Sequence, residues 1–509
     1  MSLLNDIMVF FMKRRAERIE HFKTYPVEVQ HQVFHELIVA ARYTDWGRKY
    51  KYDTIQTIKQ YQERVPISSY EDIYPSIERV LQGEQNVLWP SDVEWFSKSS
   101  GTTNARSKYL PITPESLEEC HYRGGRDVMT LYAQNRPETL VFEGKGMSIG
   151  GSLHHNPFQE NGSMVGDVSA VIMQNLPAWA EFLRTPPLEV ALMDKWEDKL
   201  EKMAQICGQE NVTSILGVPT WTIVLLDRIM EAHNATHMLD IWPNFEVFIH
   251  GAVAFQPYRE LFAKKYFPAE KVTYMETYNA SEGFFAIQDD LAHPGEMLLM
   301  LDYGTFYEFV PVEEWGKAFP RTLTIDEVEL DKNYALIIST NSGLWRYQIG
   351  DTIKFTSKYP FRIKVSGRTK HFINAFGEEV IIENADAAIT YACEHTAAVI
   401  NDYTAAPVYM EDGKKGRHEW IIEFGQMPND WTHFCHLLDA RLREINSDYD
   451  AKRYKDLALL PPLMHCVPKG TFYQWMGKRG KLGGQNKVPR LSNEREYLEG
   501  LLESVQVDR

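Results

Sequence analysis

Residues 96–113 read FSKSSGTTNARSKYLPIT. Ser99, Ser100, Gly101, Thr102 and Thr103 stand together, and Lys108 follows them. Backbone N–H groups in a glycine-containing turn can converge on phosphate oxygens, and small hydroxyls add donors without bulk. A nearby cation adds charge-assisted bonds. Such a stretch builds little core. It reads as a loop that holds an anion, and a triphosphate suits it. Taken alone, a solvated surface hairpin is the plainer reading. The loop is not a Walker A motif, since G-x-x-x-x-G-K-[ST] occurs nowhere in the chain.

Three further segments follow in order. ETYNASEGFF (276–285) carries Glu282 in a turn of small residues. LWRYQIGDTIKF (344–355) carries Asp351 after a glycine. VSGRTKHFINAFGEEV (365–380) carries Gly367 and Arg368. A carboxylate near a phosphate loop suits Mg²⁺, which favours carboxylate and phosphate oxygens. By itself, Glu282 is an ordinary helix N-terminal acid. Asp351 can accept hydrogen bonds from both ribose hydroxyls, as an ionised carboxylate does. By itself it is a turn aspartate.

Together these segments resemble the adenylate-forming superfamily of acyl-CoA synthetases, peptide-synthetase adenylation domains and luciferases. Within it they resemble the auxin-responsive Gretchen Hagen family of acyl acid amido synthetases. Residues 99–103 are similar to that family's phosphate loop, with Lys108 at its following lysine. Residues 278–282 resemble its Tyr-x-Ser-Ser-Glu turn, with Ala280 in place of the first serine. Residues 344–351 resemble Leu-Tyr-Arg-Tyr-Arg-Val-Gly-Asp, with Gln348 replacing an arginine. DYGTFYEFVPVEE (302–314), Gly470-Thr471-Phe472 and the 485–490 run QNKVPR also match family elements. The likeness runs from about residue 96 to residue 491. One departure lies at 376–380, FGEEV, which lacks the plant-type lysine after the hinge.

The resemblance implies an ATP-dependent ligase. A carboxylate is a poor acyl donor until attack on the α-phosphate converts it to an acyl-adenylate. An amine, such as an amino acid, then takes the acyl group. Ser100, Thr102 and Thr103 would hold the β- and γ-phosphates, and Glu282 with Thr103 would hold Mg²⁺. Tyr278 would stack on adenine beside Ser281, against the plainer reading of strand packing. His250-Gly251-Ala252 would form an adenine-side turn. Asp351 would hold the ribose, and Arg368 the ribose or a phosphate. Lys487, with Lys481 as its rival, would neutralise charge on the α-phosphate and the carboxylate. Thr102, Glu282 and Lys487 are thus the expected catalytic groups. Val218, Thr220 and Trp221 would line the acyl site, although packing explains Trp221 equally well. An acyl-CoA ligase and a non-catalytic nucleotide or acyl sensor stay open as alternatives.

Other chemistries fit less well. Residues 279–283, NASEG, lack the first glycine of a nucleophile elbow. HELIV (35–39) lacks the second histidine of a zincin. His433 and His436 stand i, i+3 with no third ligand in view.

The elements that must position these groups follow from pattern. The chain has 509 residues, 44% hydrophobic and 24% charged, enough for two or three domains around large cores. A net charge of -16 argues against a general nucleic-acid binder. Five scattered cysteines without a C-x-x-C pair suit reduced thiols in the cytoplasm. The first residues, MSLLNDIMVFFMKRR, read as a packed amphipathic helix rather than a signal peptide. No apolar stretch is long enough to span a bilayer. Helical spacing dominates to about residue 90, and residues 95–111 read as strand, loop, strand. From residue 140 strands and helices alternate, which predicts α/β layering with a mostly parallel sheet. Strands dominate 295–356, predicting a barrel-like or antiparallel part. A boundary near 366–370 divides the chain. Residues 1–366 form a large ATP- and acyl-binding domain, and 367–509 a smaller mobile α+β domain. Oligomeric state is not legible.

Overall fold

The computed structural model describes residues 3–99, 108–159, 162–253, 255–315, 317, 319–368, 372–411, 414–479 and 488–507. The first part is helical, as its spacing predicts: Leu3–Thr24, Pro26–Ala41, Asp45–Lys49, Ile58–Arg64 and Tyr70–Leu81. Pro26 opens the second helix, where its missing N–H costs nothing. That helix buries Val29, Val33, Phe34, Leu37 and Ile38 along one face. Each such side chain contributes about 1.5–3 kcal/mol relative to exposure. Ser69 and Asp72 form a reciprocal capping box at the start of Tyr70–Leu81.

The predicted strand–loop–strand is present as Trp95–Ser99 and Lys108–Ile112, paired antiparallel. They form a four-stranded sheet with Met164–Gly166 and Leu153–His155. An eleven-stranded sheet runs through the molecule. Its parallel half is Arg184–Thr185, Lys145–Ser148, Val212–Gly217, Val247–His250 and Thr273–Ala280, in that spatial order. Its antiparallel half continues with Gly283–Ile287, Met297–Leu299, Phe361–Arg368, Tyr347–Lys358, Asn333–Thr340 and Thr305–Pro311. The β-rich stretch from residue 295 is therefore antiparallel, and it extends the main sheet. No closed barrel is found among the described residues. Met297–Leu299 pairs with Gly283–Ile287 on one side and Phe361–Arg368 on the other, inside the antiparallel half, and the halves meet where Gly283–Ile287 pairs with Thr273–Ala280. Thr273–Ala280 is where strand direction changes: parallel to one neighbour, antiparallel to the next.

The C-terminal part is α+β. Val399–Val408, Arg417–Gln426 and Leu463–Val467 form a three-stranded sheet. Helices Ile382–Thr396 and Trp431–Ile445 pack together, and Phe434, Leu438 and Leu442 are buried. Tyr258 joins this part to the parallel half, its hydroxyl donating to the Ala375 carbonyl. Among the described residues, no helix is long and apolar enough to cross a membrane.

Candidate active site

In open sheets of this kind, ligands settle beyond the carboxyl ends of the parallel strands. A cleft of about 1030 Å³ lies there. Val218 follows Val212–Gly217, Gly251 follows Val247–His250, and Ser281 and Glu282 follow Thr273–Ala280; all four residues line it. So do Ser99 and Lys108, which flank the predicted phosphate loop, and Asp351 from the antiparallel half. Gly377, Glu379, Asp448 and Lys452 add a wall from the C-terminal part.

Two side chains tie the strands at the base. The Tyr278 hydroxyl donates to a carboxylate oxygen of Asp351. The Tyr278 ring lies 5.1 Å from that of Phe285. The Ser97 hydroxyl donates to the Ser281 carbonyl at 3.1 Å, holding the glutamate turn beside the loop strand. Lys108 lines the same cleft, and its ammonium donates to the Tyr347 hydroxyl at 3.5 Å and lies 5.8 Å from the Tyr70 ring centre. Burial pushes the Glu282 carboxyl above its ordinary value; Asp351 and Glu379 push the same way, and Lys108 opposes them.

Asp351 is positioned by the segment before it. Gly350 takes φ +94°, a conformation that glycine adopts without strain. Arg346, 4% exposed, anchors the strand entry. Its guanidinium donates to both Glu308 oxygens at 2.9 Å, to the carbonyls of Gln62 and Val65 at 2.9 and 2.7 Å, and to Thr322 at 2.9 Å. Strand alternation brings Ile349 and Asp351 to the cleft, and Gln348 is not among the residues lining it. Arg368 stands opposite Asp351 in register.

The adenine-side turn expected from the sequence is buried at His250 and opens to solvent at Ala252. His250 is 3% exposed, and its ring stacks on Phe255 at 3.9 Å. Burial pushes its pKa down to about 3. A Cβ at Gly251 would meet the Thr277 carbonyl oxygen at 2.6 Å, so only glycine fits. Past the proposed hinge, buried Glu378 accepts from the Ala375 and Phe376 N–H groups at 3.3 and 2.6 Å. It also meets His418 Nε2 at 2.7 Å. Glu378 therefore braces the 374–379 turn, and Glu379 faces the cleft.

On the acyl side, Val218 and Trp221 line the cleft where Pro219–His233 begins. Gly150 and Gly151 approach from the neighbouring loop, held by the buried Lys199, which donates to both carbonyls. Burial lowers the Lys199 pKa to about 8. The Lys452 ammonium lies 4.3 Å from the Trp221 ring centre. Lys199 and Lys452 escaped the sequence reading, since each stands in a helical run with no motif around it.

Ser99, Lys108, Tyr278, Ser281, Glu282, Asp351, Val218 and Trp221 thus share one cleft. Ser100, Gly101, Thr102, Thr103, Lys481 and Lys487 lie outside the described residues, as do the side chains of Arg368 and Thr220. Along the described walls carboxylates outnumber ammonium groups. No group of three or more His, Cys, Asp or Glu among the described residues could hold a metal alone.

Profiles of one family cover most of the chain. The GH3 family N-terminal domain matches residues 15–272, the GH3 family central domain 298–368, and the GH3 family C-terminal domain 383–496. The 4-substituted benzoates-glutamate ligase GH3.12 of Arabidopsis thaliana is 22% identical over 568 residues, covering 96% of this chain and 96% of that protein. The structure of AtGH3.15 acyl acid amido synthetase in complex with 2,4-DB superposes with TM-score 0.62 at 18% identity, over 97% of this chain and 96% of that one. A 2-hydroxyisobutyryl-CoA ligase in complex with 2-HIB-AMP and CoA gives 0.57 at 12% identity, over 97% and 93%.

Proposed function

The chain belongs to the GH3 family, and from that premise we propose that it is an ATP-dependent acyl acid amido synthetase. It adenylates a small carboxylic acid, releasing pyrophosphate, then transfers the acyl group to an amine, such as an amino acid, releasing AMP. The relative GH3.12 is named for 4-substituted benzoates and glutamate, which makes those acids and that acceptor the first to try.

One observation carries the reading. Glu282, Asp351, Tyr278 and Lys108 converge on the same cleft as Val218 and Trp221, at the carboxyl ends of the parallel strands. A nucleotide and an acid can therefore meet there. Asp351 accepts from the ribose hydroxyls while Tyr278 fixes its orientation. Lys108 and the 100–107 loop hold the phosphates. Trp221 and Val218 seat the acyl body, which turns the carboxylate toward the α-phosphate for in-line attack. Lys487 arrives from the C-terminal part to offset charge that builds as the bond forms. A magnesium ion, when bound, would supply phosphate charge neutralisation, and Glu282 would hold it.

The C-terminal part, residues 367–509, swings between adenylation and acyl transfer, a rigid-body step about the 366–370 boundary. The gap between the central and C-terminal family matches, residues 369–382, begins within that boundary. Five free cysteines fit a reducing, cytoplasmic setting.

The test is ATP–pyrophosphate exchange across a panel of carboxylic acids, then mass spectrometry of products formed with mixed amino acids and with coenzyme A. Acid-dependent exchange with an amide product supports the reading. A thioester product makes the chain an acyl-CoA ligase. No exchange with any acid leaves it a binder.

A further inference from the structure

Lys452 is 8% exposed, yet it lines the cleft. Among the described residues its ammonium makes no hydrogen bond and no ion pair; its one close partner is the face of Trp221, 4.3 Å away. A buried ammonium without an anion is costly, and an aromatic face offsets only part of that cost. The charge is not left there by loose packing. A Cβ at Gly377 would lie 3.4 Å from Lys452 Cε, so the side chain runs beside the hinge turn on one side and Trp221 on the other. Burial lowers its pKa, while Asp448, Glu378 and Asp167 act from a distance to keep it charged.

Place in the sheet separates this cation from the nucleotide groups. Trp221 follows Val212–Gly217, and that strand is separated from Thr273–Ala280 by Val247–His250. Two strand spacings amount to about 10 Å. The anion suited to Lys452 is therefore one carried by an organic substrate, not a phosphate beside Glu282 and Asp351. A single ammonium is a point charge that matches a monoanion.

We infer that Lys452 is a carboxylate-binding residue of the cleft, brought by the C-terminal part against the Trp221 wall. This rests on the amido synthetase reading. In that reaction both the acyl acid and an amino acid acceptor carry a carboxylate, and the two sources are separable.

The experiment compares wild type with K452M, K452R and, should K452M not fold, K452Q. Exchange without amine gives the KM for the acid. Amide formation gives the KM for an amino acid and for its carboxamide, which lacks the carboxylate. If the acyl acid is the source, K452M raises its KM in exchange about tenfold or more, with K452R recovering most of the loss. If the acceptor is the source, exchange is unchanged, the amino acid KM rises about tenfold, and the carboxamide KM does not move. Either result supports the assignment. Both KM values staying within about twofold of wild type would overturn it while leaving the ligase reading intact. So would a loss confined to the ATP KM. Absence of wild-type exchange with every acid overturns both.

Discussion

Tyr278 and Asp351 stand 73 positions apart in the chain, on strands separated in the sheet, yet the phenol of one donates to the carboxylate of the other. The bond fixes the orientation of an acid that is 8% exposed at the base of the cleft. Substituting the acid removes the ribose acceptor; substituting the phenol removes only its orientation. D351A is expected to raise the ATP KM in the exchange assay about 10- to 100-fold, given 1.5–3 kcal/mol for hydrogen bonds to a charged group. Y278F is expected to cost less, about tenfold or below. Equal KM values for wild type and D351A would remove Asp351 from the nucleotide site.

Glu282 gives a pH signature. Burial and the neighbouring Asp351 and Glu379 raise its pKa, so in the free protein it keeps its proton above the pH where an ordinary glutamate loses it. Its cation-binding form is the ionised one. The acid limb of exchange activity, measured as kcat/KM, is therefore expected above the ordinary carboxylate range. E282Q is expected to lower exchange about 100-fold and to flatten that limb. An acid limb unchanged in residual E282Q activity would assign it to another group.

Arg346 serves stability. It satisfies Glu308 and two backbone carbonyls while itself almost fully buried. R346M strands the Glu308 charge and is expected to cost about 3–5 kcal/mol, seen as a lowered denaturation midpoint. The double variant R346M/E308M removes both charges and is expected to recover much of that loss. A double variant no more stable than R346M would show that the bonds to the Gln62 and Val65 carbonyls dominate.

His121 and His250 make the fold acid-sensitive. Burial lowers their pKa values to about 4 and about 3. The unfolded chain binds protons there near the ordinary histidine value, 6.5, so it holds more protons than the folded chain across that window. Stability from these groups is full above pH 6.5 and falls as pH drops toward 4 and 3. Each contributes a slope of up to ~1.4 kcal/mol per pH unit. H250F, which cannot titrate, is expected to flatten the profile of denaturation midpoint against pH. An identical slope in wild type and H250F would show that His250 gains a proton partner on acidification.

Much of the architecture was legible from local pattern. The capped Tyr70–Leu81 helix and the strands flanking the serine–threonine loop obey periodicities that neighbours in sequence enforce. The strand order inside the antiparallel half was not. Met297–Leu299 is only three residues long, and which strands it pairs with is a long-range choice. The site divides in the same way. Glu282 and Asp351 were marked by glycines and small residues in their turns. Lys452 was not, because its meaning lies in what it fails to meet, and a helical segment, Ser447–Arg453, carries no trace of that. Arg346 stands in a run that resembles a nucleotide motif, yet its guanidinium turns inward, which only the position of Glu308 reveals.

The excess of acids along the described walls has a consequence for the order of events. Coulomb repulsion disfavours a bare triphosphate entering such a recess. A nucleotide already complexed with a divalent ion presents far less opposing charge at the mouth. The described walls by themselves therefore favour the ion-complexed nucleotide, and raising salt should weaken that preference by screening it.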